Sequence, residues 1–408
     1  MKKMKKVLAL MLAMAMILAL AACGGGNSAS TGSGNDAAAS TPAATDSSST
    51  PANSDTASAG VESPVAGKKI AYIMLMTPAT IFNMWSDEFK KTAEGLGMTA
   101  DTFFCNDNAD TWQNTIEQCA AGGYDGLMVS HGGQEYAWSF LSDVLSRYPN
   151  LKIVTFDTPF KDANGNVQKI DGVTQFFQQD AGFAKTLVEQ LIDLNPGKKP
   201  VRILQVQQGQ GYNSPFDRRQ VGYQPFLDDG SIVNVERIAP IDDQNATNSM
   251  RDVTAATLAK YNDTADIDGI WCCYDAYAQG VYQALKEANS QIPMVSVDIS
   301  NEDINCMAEG TNWKACATTN WTSNGEFACR VLACELADDY DAIANASCYY
   351  ADPGAWMEIP STVITQEMVM SKPGVNIENL DEVAPASYKD RTWMPTTDWM
   401  DALLGPLS

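Results

Sequence analysis

The chain has 408 residues, 27 Lys and Arg against 50 Asp and Glu, a formal charge of −23 at pH 7 and one histidine. So acidic a balance argues against a nucleic-acid partner, because phosphate binding needs a basic face. One histidine, with no Gly-x-Ser-x-Gly elbow in the folded part and no HExxH run, leaves little for acyl transfer or zinc chemistry.

The first element is a leader. Lys2, Lys3, Lys5 and Lys6 precede an apolar run from Val7 to Leu20, which has secretory h-region length and is short for a membrane span. The run ends in Leu20-Ala21-Ala22-Cys23 with three glycines behind it, which resembles a bacterial lipobox. Residues 1–22 are therefore expected to be a lipoprotein signal peptide and Cys23 the lipid attachment point. The competing reading is an ordinary cleaved leader with Cys23 incidental. Two acyl chains would anchor the chain stably, at about 0.8 kcal/mol per buried CH₂, on the outer face of the cytoplasmic membrane. Residues 23–66 are mostly Ser, Thr, Ala, Asn, Asp, Gly and Pro. They cannot bury enough apolar surface to offset ordering entropy and read as a disordered tether.

From Lys68 onward, short apolar strands alternate with amphipathic helices. Strands are predicted at Lys69–Met76, Thr99–Phe104, Gly126–Ser130 and Leu151–Asp157, with helices at Met84–Gly95, Asp110–Ala121 and Tyr136–Arg147. A second series starts near Val173. Its helices are Ala181–Leu194, Arg219–Leu227, Met250–Tyr261 and Gln279–Asn289, and its strands Val201–Gln207, Val233–Ala239, Gly269–Cys273 and Met294–Val297. This pattern predicts an α/β fold of two doubly wound, Rossmann-like parallel-sheet lobes. Such sheets bind ligands beyond the carboxyl ends of their strands, so function is expected in those loops.

Ten cysteines include Cys23, and the odd remainder cannot all pair within the chain. Cys272-Cys273 lies in an apolar strand run and reads as core. The spacings Cys105/Cys119 and Cys306/Cys316 permit bridges without establishing them.

The segments YDGLMVS, KIVTFDTP, QQDAGFAK, RRQVGY, DGIWCCYDAYAQGVYQAL, PMVSVDIS and IPSTVITQEMV occur in that order between Lys68 and Gln366. In this order they resemble the type I periplasmic-binding-protein family, specifically the ribose/galactose-type sugar-binding proteins of ABC transporters. The resemblance implies two lobes joined by three hinge crossings with the ligand in the cleft. It places the crossings near Asp171–Thr174, Asn320 and Asp352–Ile359. The lobes would then be 67–173 with 321–355, and 174–320 with 356–408.

The same resemblance supplies candidate ligand-binding residues. Asp157 ends a strand before Thr158-Pro159 and matches the family's first-lobe ligand carboxylate, a turn-capping role being the alternative. Thr158 departs from the Arg or Asn usual next to it. Phe82, Asn83 and Trp85 occupy the loop that supplies an aromatic plate and an amide, although an amphipathic helix would bury Phe82 and Trp85. One of Arg218 and Arg219 reaches the cleft, the other being solvated or paired with Asp217. Tyr274 and Asp275 stand where the family has an Asn-Asp pair, so Asp275 matches and Tyr274 does not. Asp298 is the second lobe's strand-end carboxylate, with a helix N-cap as its alternative. Asn320, or Thr319 one register away, is the hinge amide. His131 follows a strand toward the cleft and reads equally as structural, and Asp180 reads as hinge or cap.

A sugar needs such carboxylates, amides and aromatic faces, because its hydroxyls donate and accept while its C–H faces are apolar. The expected activity is capture of a small polar ligand, most often a monosaccharide, by a monomer that delivers it to an ABC permease. No enzyme activity, cofactor or metal is expected. The alternatives are a ligand-sensing lipoprotein serving a two-component or chemotaxis receptor, a binder of a nucleoside, polyol or furanosyl signal, and, remotely, a two-carboxylate glycoside hydrolase.

Overall fold

The computed structural model describes residues 61–162, 164–350 and 356–408. The leader, Cys23 and nearly all of the tether lie outside the described residues. The inner strands are buried on both faces. In β1 (Lys69–Met74), Ile70, Tyr72 and Met74 join one core while Ala71 and Ile73 join another on the opposite face. That double burial is why the strands read as continuous apolar runs and not as alternating ones.

The first sheet contains β1, β2 (Thr99–Phe104), β3 (Gly126–Ser130), β4 (Lys152–Phe156) and β5 (Val173–Gln178), with β11 (Tyr349–Tyr350) and β12 (Trp356–Ile359) added late in the chain. Its order is β11-β12-β5-β4-β3-β1-β2. The second sheet contains β6 (Val201–Val206), β7 (Ile232–Ile238), β8 (Gly269–Cys272), β9 (Met294–Val297), β10 (Trp313–Thr318) and β13 (Thr362–Thr365), in the order β13-β10-β9-β8-β6-β7. All pairs are parallel except β11 with β12 and β13 with β10. Each sheet reverses its winding beside its first strand, β1/β3 in one lobe and β6/β8 in the other, so both lobes offer a switch-point crevice.

Strand pairing moves the lobe boundaries from where the sequence put them. β5 pairs with β4 in the first sheet, so the chain crosses at Gln179, several residues after Asp171–Thr174. The return falls at Thr319–Asn320, between β10 and the helix Trp321–Leu336, which packs on the helix Thr80–Gly95. β12 pairs with β5, so the third crossing is Pro360–Ser361 and residues 356–359 belong with the first lobe. The expected assignment of 356–408 to the second lobe fails again at the end of the chain. Ile377 donates its N–H to Asn301 Oδ1 at 2.8 Å in the second lobe. Farther on, Arg391 pairs with Glu326 at 3.0 Å, Trp393 meets Phe327 at 5.0 Å between centroids, and Trp399 donates to Asp339 at 2.9 Å. All three partners lie at or beyond the first-lobe helix Trp321–Leu336. The tail is a fourth passage between lobes, made without a strand and therefore invisible to strand periodicity.

That tail explains why the Trp321–Leu336 helix is buried on nearly every side, with only Thr322 and Leu336 outside the buried set. Gly325 lets it approach its neighbour, since a Cβ there would lie 2.3 Å from the carbonyl oxygen of Trp85. The nine cysteines among the described residues are all free and buried. The Cys105/Cys119 and Cys306/Cys316 bridges are not formed, and Cys272 and Cys273 are core.

Glu335 carries a pH-dependent load on this helix. It is fully buried, accepts the N–H of Thr174 at 2.8 Å, and has no partner for Oε2 among the described residues. Burial pushes its pKa up to about 8, above its unfolded value. Its stabilisation is therefore complete below the ordinary carboxylate range and is lost as pH rises through about 8. Melting temperature should fall as pH rises from 4.5 to about 8 and level off above it, and Glu335→Gln should flatten that decline. An unchanged slope in the variant would assign the pH dependence elsewhere.

Candidate ligand-binding cleft

The loops at the carboxyl ends of both sheets meet around a cavity of about 640 Å³, within the size range of small-molecule sites. The first lobe contributes the stretch Met76–Phe82 after β1, His131 after β3 and Asp157 after β4. The second contributes Tyr212–Phe216 after β6, Tyr274 and Asp275 after β8, and Asp298–Glu302 after β9. His131, Asp157 and Asp298 leave their strands with φ of 58°, 43° and 69°. Such left-handed non-glycine backbone costs about 1–3 kcal/mol per residue and persists only where the surroundings fix it. Backbone bonds do so here: His131 N–H to Phe156, Asp157 N–H to Phe176 and Asp298 N–H to Ala317, at 3.0, 3.1 and 2.8 Å. The turns carry all three side chains out of the sheets and onto the cavity wall.

Two adjacent arginines organise the charges. Arg218 donates to Asp180 at 2.8 Å, to Asp157 at 2.6 Å and to Ser214 at 2.7 Å. Arg219 donates to Asp180 at 2.8 Å, to the Cys273 carbonyl, and to Asp298 at 3.3 Å. Asp180, whose side chain is 0 % exposed, therefore holds both guanidiniums. Through them it connects the Asp157 wall of the first lobe with the Asp298 wall of the second. Burial alone would raise the Asp157 pKa, but Arg218 and His131 hold it below the usual range. Asp298 is raised, by burial first, despite Arg219. Burial lowers the His131 pKa, with Asp157 opposing it.

Gly222 makes this network reachable. It lies on the face of Arg218 and Arg219, four and three residues on in the helix Ser214–Asp228. A Cβ there would stand 1.9 Å from the carbonyl oxygen of Ala181, so only glycine lets that helix press against the helix Asp180–Asp193.

Of the residues singled out in the sequence, Phe82, His131, Asp157, Arg219, Tyr274, Asp275 and Asp298 line the cavity. Arg218 stands behind Asp157, and both arginines are engaged; neither pairs with Asp217, which instead accepts the Gly211 N–H. Three others are elsewhere. Asn83 is exposed, one residue round the helix from Phe82. Trp85 is wholly buried one turn deeper, edge-on to Phe156 at 4.6 Å, and supports the wall from behind. Asn320 caps the Trp321–Leu336 helix and donates to the Tyr388 carbonyl at 2.9 Å, while Thr319 is buried. Asp298 is not a helix cap, since Ser300 and Asp303 form the capping box.

Sequence reasoning missed the second-lobe aromatics Tyr212, Phe216 and Tyr277, together with Gln178, Asp243 and Ile377. Asn213-Ser214-Pro215 is an N-cap signal that would have moved the helix start to Ser214. That shift places Phe216 in the first turn, at the cleft.

A family model described as a periplasmic binding protein domain matches residues 70–338. The chain belongs to this family of extracytoplasmic solute-binding proteins. Among solved structures, a sugar ABC transporter protein from Yersinia enterocolitica subsp. enterocolitica is 25% identical, with TM-score 0.63 over 83% of this chain and 94% of that one. A 5-methylthioribose transporter solute-binding protein from Thermotoga lettingae is 18% identical, with TM-score 0.63 over 84% and 97%. A periplasmic ribose ABC transporter protein from Conexibacter woesei is 15% identical, with TM-score 0.63 over 78% and 98%. No curated protein matches the sequence.

Gly222→Ala should cost about 1–3 kcal/mol in urea unfolding, the usual range for overpacking. Val221→Ala next to it, at an exposed position, should stay within about 0.5 kcal/mol. Equal stabilities would mean that the helix contact does not set the position of the arginines.

Proposed function

We propose that this protein captures a monosaccharide or closely related polyol outside the cytoplasmic membrane and delivers it to an ABC permease. The observation that carries this reading is the cavity wall itself. Strand-end carboxylates from both lobes, Asp157 and Asp298, face an aromatic surface made by Phe82, Phe156 and Trp321. Carboxylates accept from ligand hydroxyls, and such charge-assisted bonds are about twice as strong as neutral ones. Aromatic faces cover the C–H surface of the ring. Contacts from both lobes favour the closed arrangement, which is the form a permease would recognise. The structural relatives include components of sugar, ribose and 5-methylthioribose transporters, which supports the ligand class.

Thermal-shift screening against monosaccharides, polyols and nucleosides is the direct test. A ligand at 100 times its dissociation constant stabilises by about 2.7 kcal/mol. Asp298→Asn should abolish that shift, because it removes a charged acceptor from the wall. Absence of stabilisation by every polyol and sugar would reject the reading.

The leader and tether support lipid anchoring at Cys23, with the folded part acting as a monomer. Expressed in a bacterial host, the full chain should incorporate labelled palmitate and sediment with membranes, whereas Cys23→Ser should be unlabelled and soluble. Labelling of the Ser variant would reject the anchor.

A further inference from the structure

Positive charge is unevenly distributed around the cavity. On the first-lobe side, Arg218 matches Asp157 at 2.6 Å. On the second-lobe side, Asp275 accepts only the N–H of Ala276 among the described residues. Asp243 accepts from neutral groups, the Gln208 amide at 2.9 Å and the Tyr277 hydroxyl at 3.1 Å. Among the described residues Asp298 has one cationic partner, Arg219, whose charge is shared with Asp180. Asp303 stands behind this wall, bonded to Ser300 and Gln279. Burial raises the pKa of Asp275, Asp298 and Asp303, and Asp275 is pushed further by Asp303 and Asp298. The arginines present do not neutralise this side.

The same wall presents aromatic faces. Tyr274 and Tyr277 lie 5.5 Å apart between centroids, and Phe216 lies 6.1 and 5.8 Å from them. Arg219 already stands over Phe216, its guanidinium carbon 5.7 Å from the ring centre, so one ring of this cluster already meets a cation. An aromatic face beside unpaired carboxylate stabilises positive charge in two ways, through the ring quadrupole and through a charge-assisted bond. Arg219 on the cavity wall and Arg218 behind Asp157 are both held by carboxylates, so a phosphate or carboxylate ligand would meet no free cation among the described residues.

We infer that the cavity selects a ligand bearing a protonated nitrogen, an amino sugar or amino polyol, with its ammonium group between the Tyr274–Tyr277 rings and the Asp275 carboxylate. This deepens the polyol reading and rests on it.

Calorimetry on the intact chain with matched compounds separates the two. The pairs are D-glucosamine with D-glucose, D-galactosamine with D-galactose, and 1-amino-1-deoxy-D-sorbitol with D-sorbitol. N-acetyl-D-glucosamine and N-acetyl-D-galactosamine keep the nitrogen and remove its charge. At least one amine should bind about tenfold or more tightly than its neutral parent, with any acetylated form reduced to the level of that parent. Asp275→Asn, which is isosteric, should collapse the amine-to-parent ratio toward one. Asp243→Asn, on the other side of the aromatic cluster, is the second variant should the first fail to fold, and should lower the same ratio. A neutral parent binding as tightly as its amine, or a ratio unchanged in both variants, would overturn the inference and leave the polyol reading intact. Failure of every compound to bind would overturn both.

Discussion

One buried carboxylate, that of Asp180, holds two neighbouring guanidiniums, and the geometry of the cleft depends on it. A buried ion has to recover a desolvation cost of several kcal/mol, which only close, directional partners supply. Asp180 meets that condition with two charge-assisted bonds. Each arginine then carries the charge outward, Arg218 to Asp157 and Arg219 to Asp298. Asp157 ends a first-lobe strand while Arg218 belongs to a second-lobe helix, so this ion pair crosses the cleft. A ligand that bonds to Asp157 or Asp298 acts on a network already connecting the lobes.

The covalent arrangement matches this. Three crossings at the hinge keep the lobes together while letting a few residues absorb rotation, the usual arrangement for closure around a ligand. The tail adds a fourth connection of a different kind. Ile377 lies on the cavity wall and is tied to Asn301, and the residues after Arg391 pack on the helix Trp321–Leu336 of the other lobe. A segment fixed at both ends across a hinge limits how far the hinge opens. Here it also touches the cavity.

Much of the fold was legible because doubly buried strands are apolar and short while the covering helices have a clear period. Four helix starts were read four or five residues late. They begin at Thr80, Ser214, Ala246 and Asp275, against Met84, Arg219, Met250 and Gln279 from the pattern. The first turn of each contributes to the cavity wall as well as to the core and mixes polar with apolar residues, so it lacks the apolar spacing that marks a helix. The residues most relevant to binding are thus those the period conceals, Phe216 and Asp243 among them. Trp85 shows the converse. It has the residue type of a ligand plate, but the helix turns it into the core, where burying a large aromatic side chain stabilises more than leaving it at a wet wall.

By itself the sequence determined the two α/β lobes, the strand-end carboxylates Asp157 and Asp298, and the leader signature ending in Cys23. These are local properties, set by side-chain period, strand ends and the order of charged and apolar residues. Only the tertiary structure decided that both arginines converge on Asp180, that Asn320 caps a helix and bonds to Tyr388, and that the tail returns to the first lobe. It also decided that aromatic rings and carboxylates share the second-lobe wall. These arrangements join residues tens of positions apart. They depend on contacts such as the one at Gly222, where the lack of a single Cβ sets how closely two helices approach.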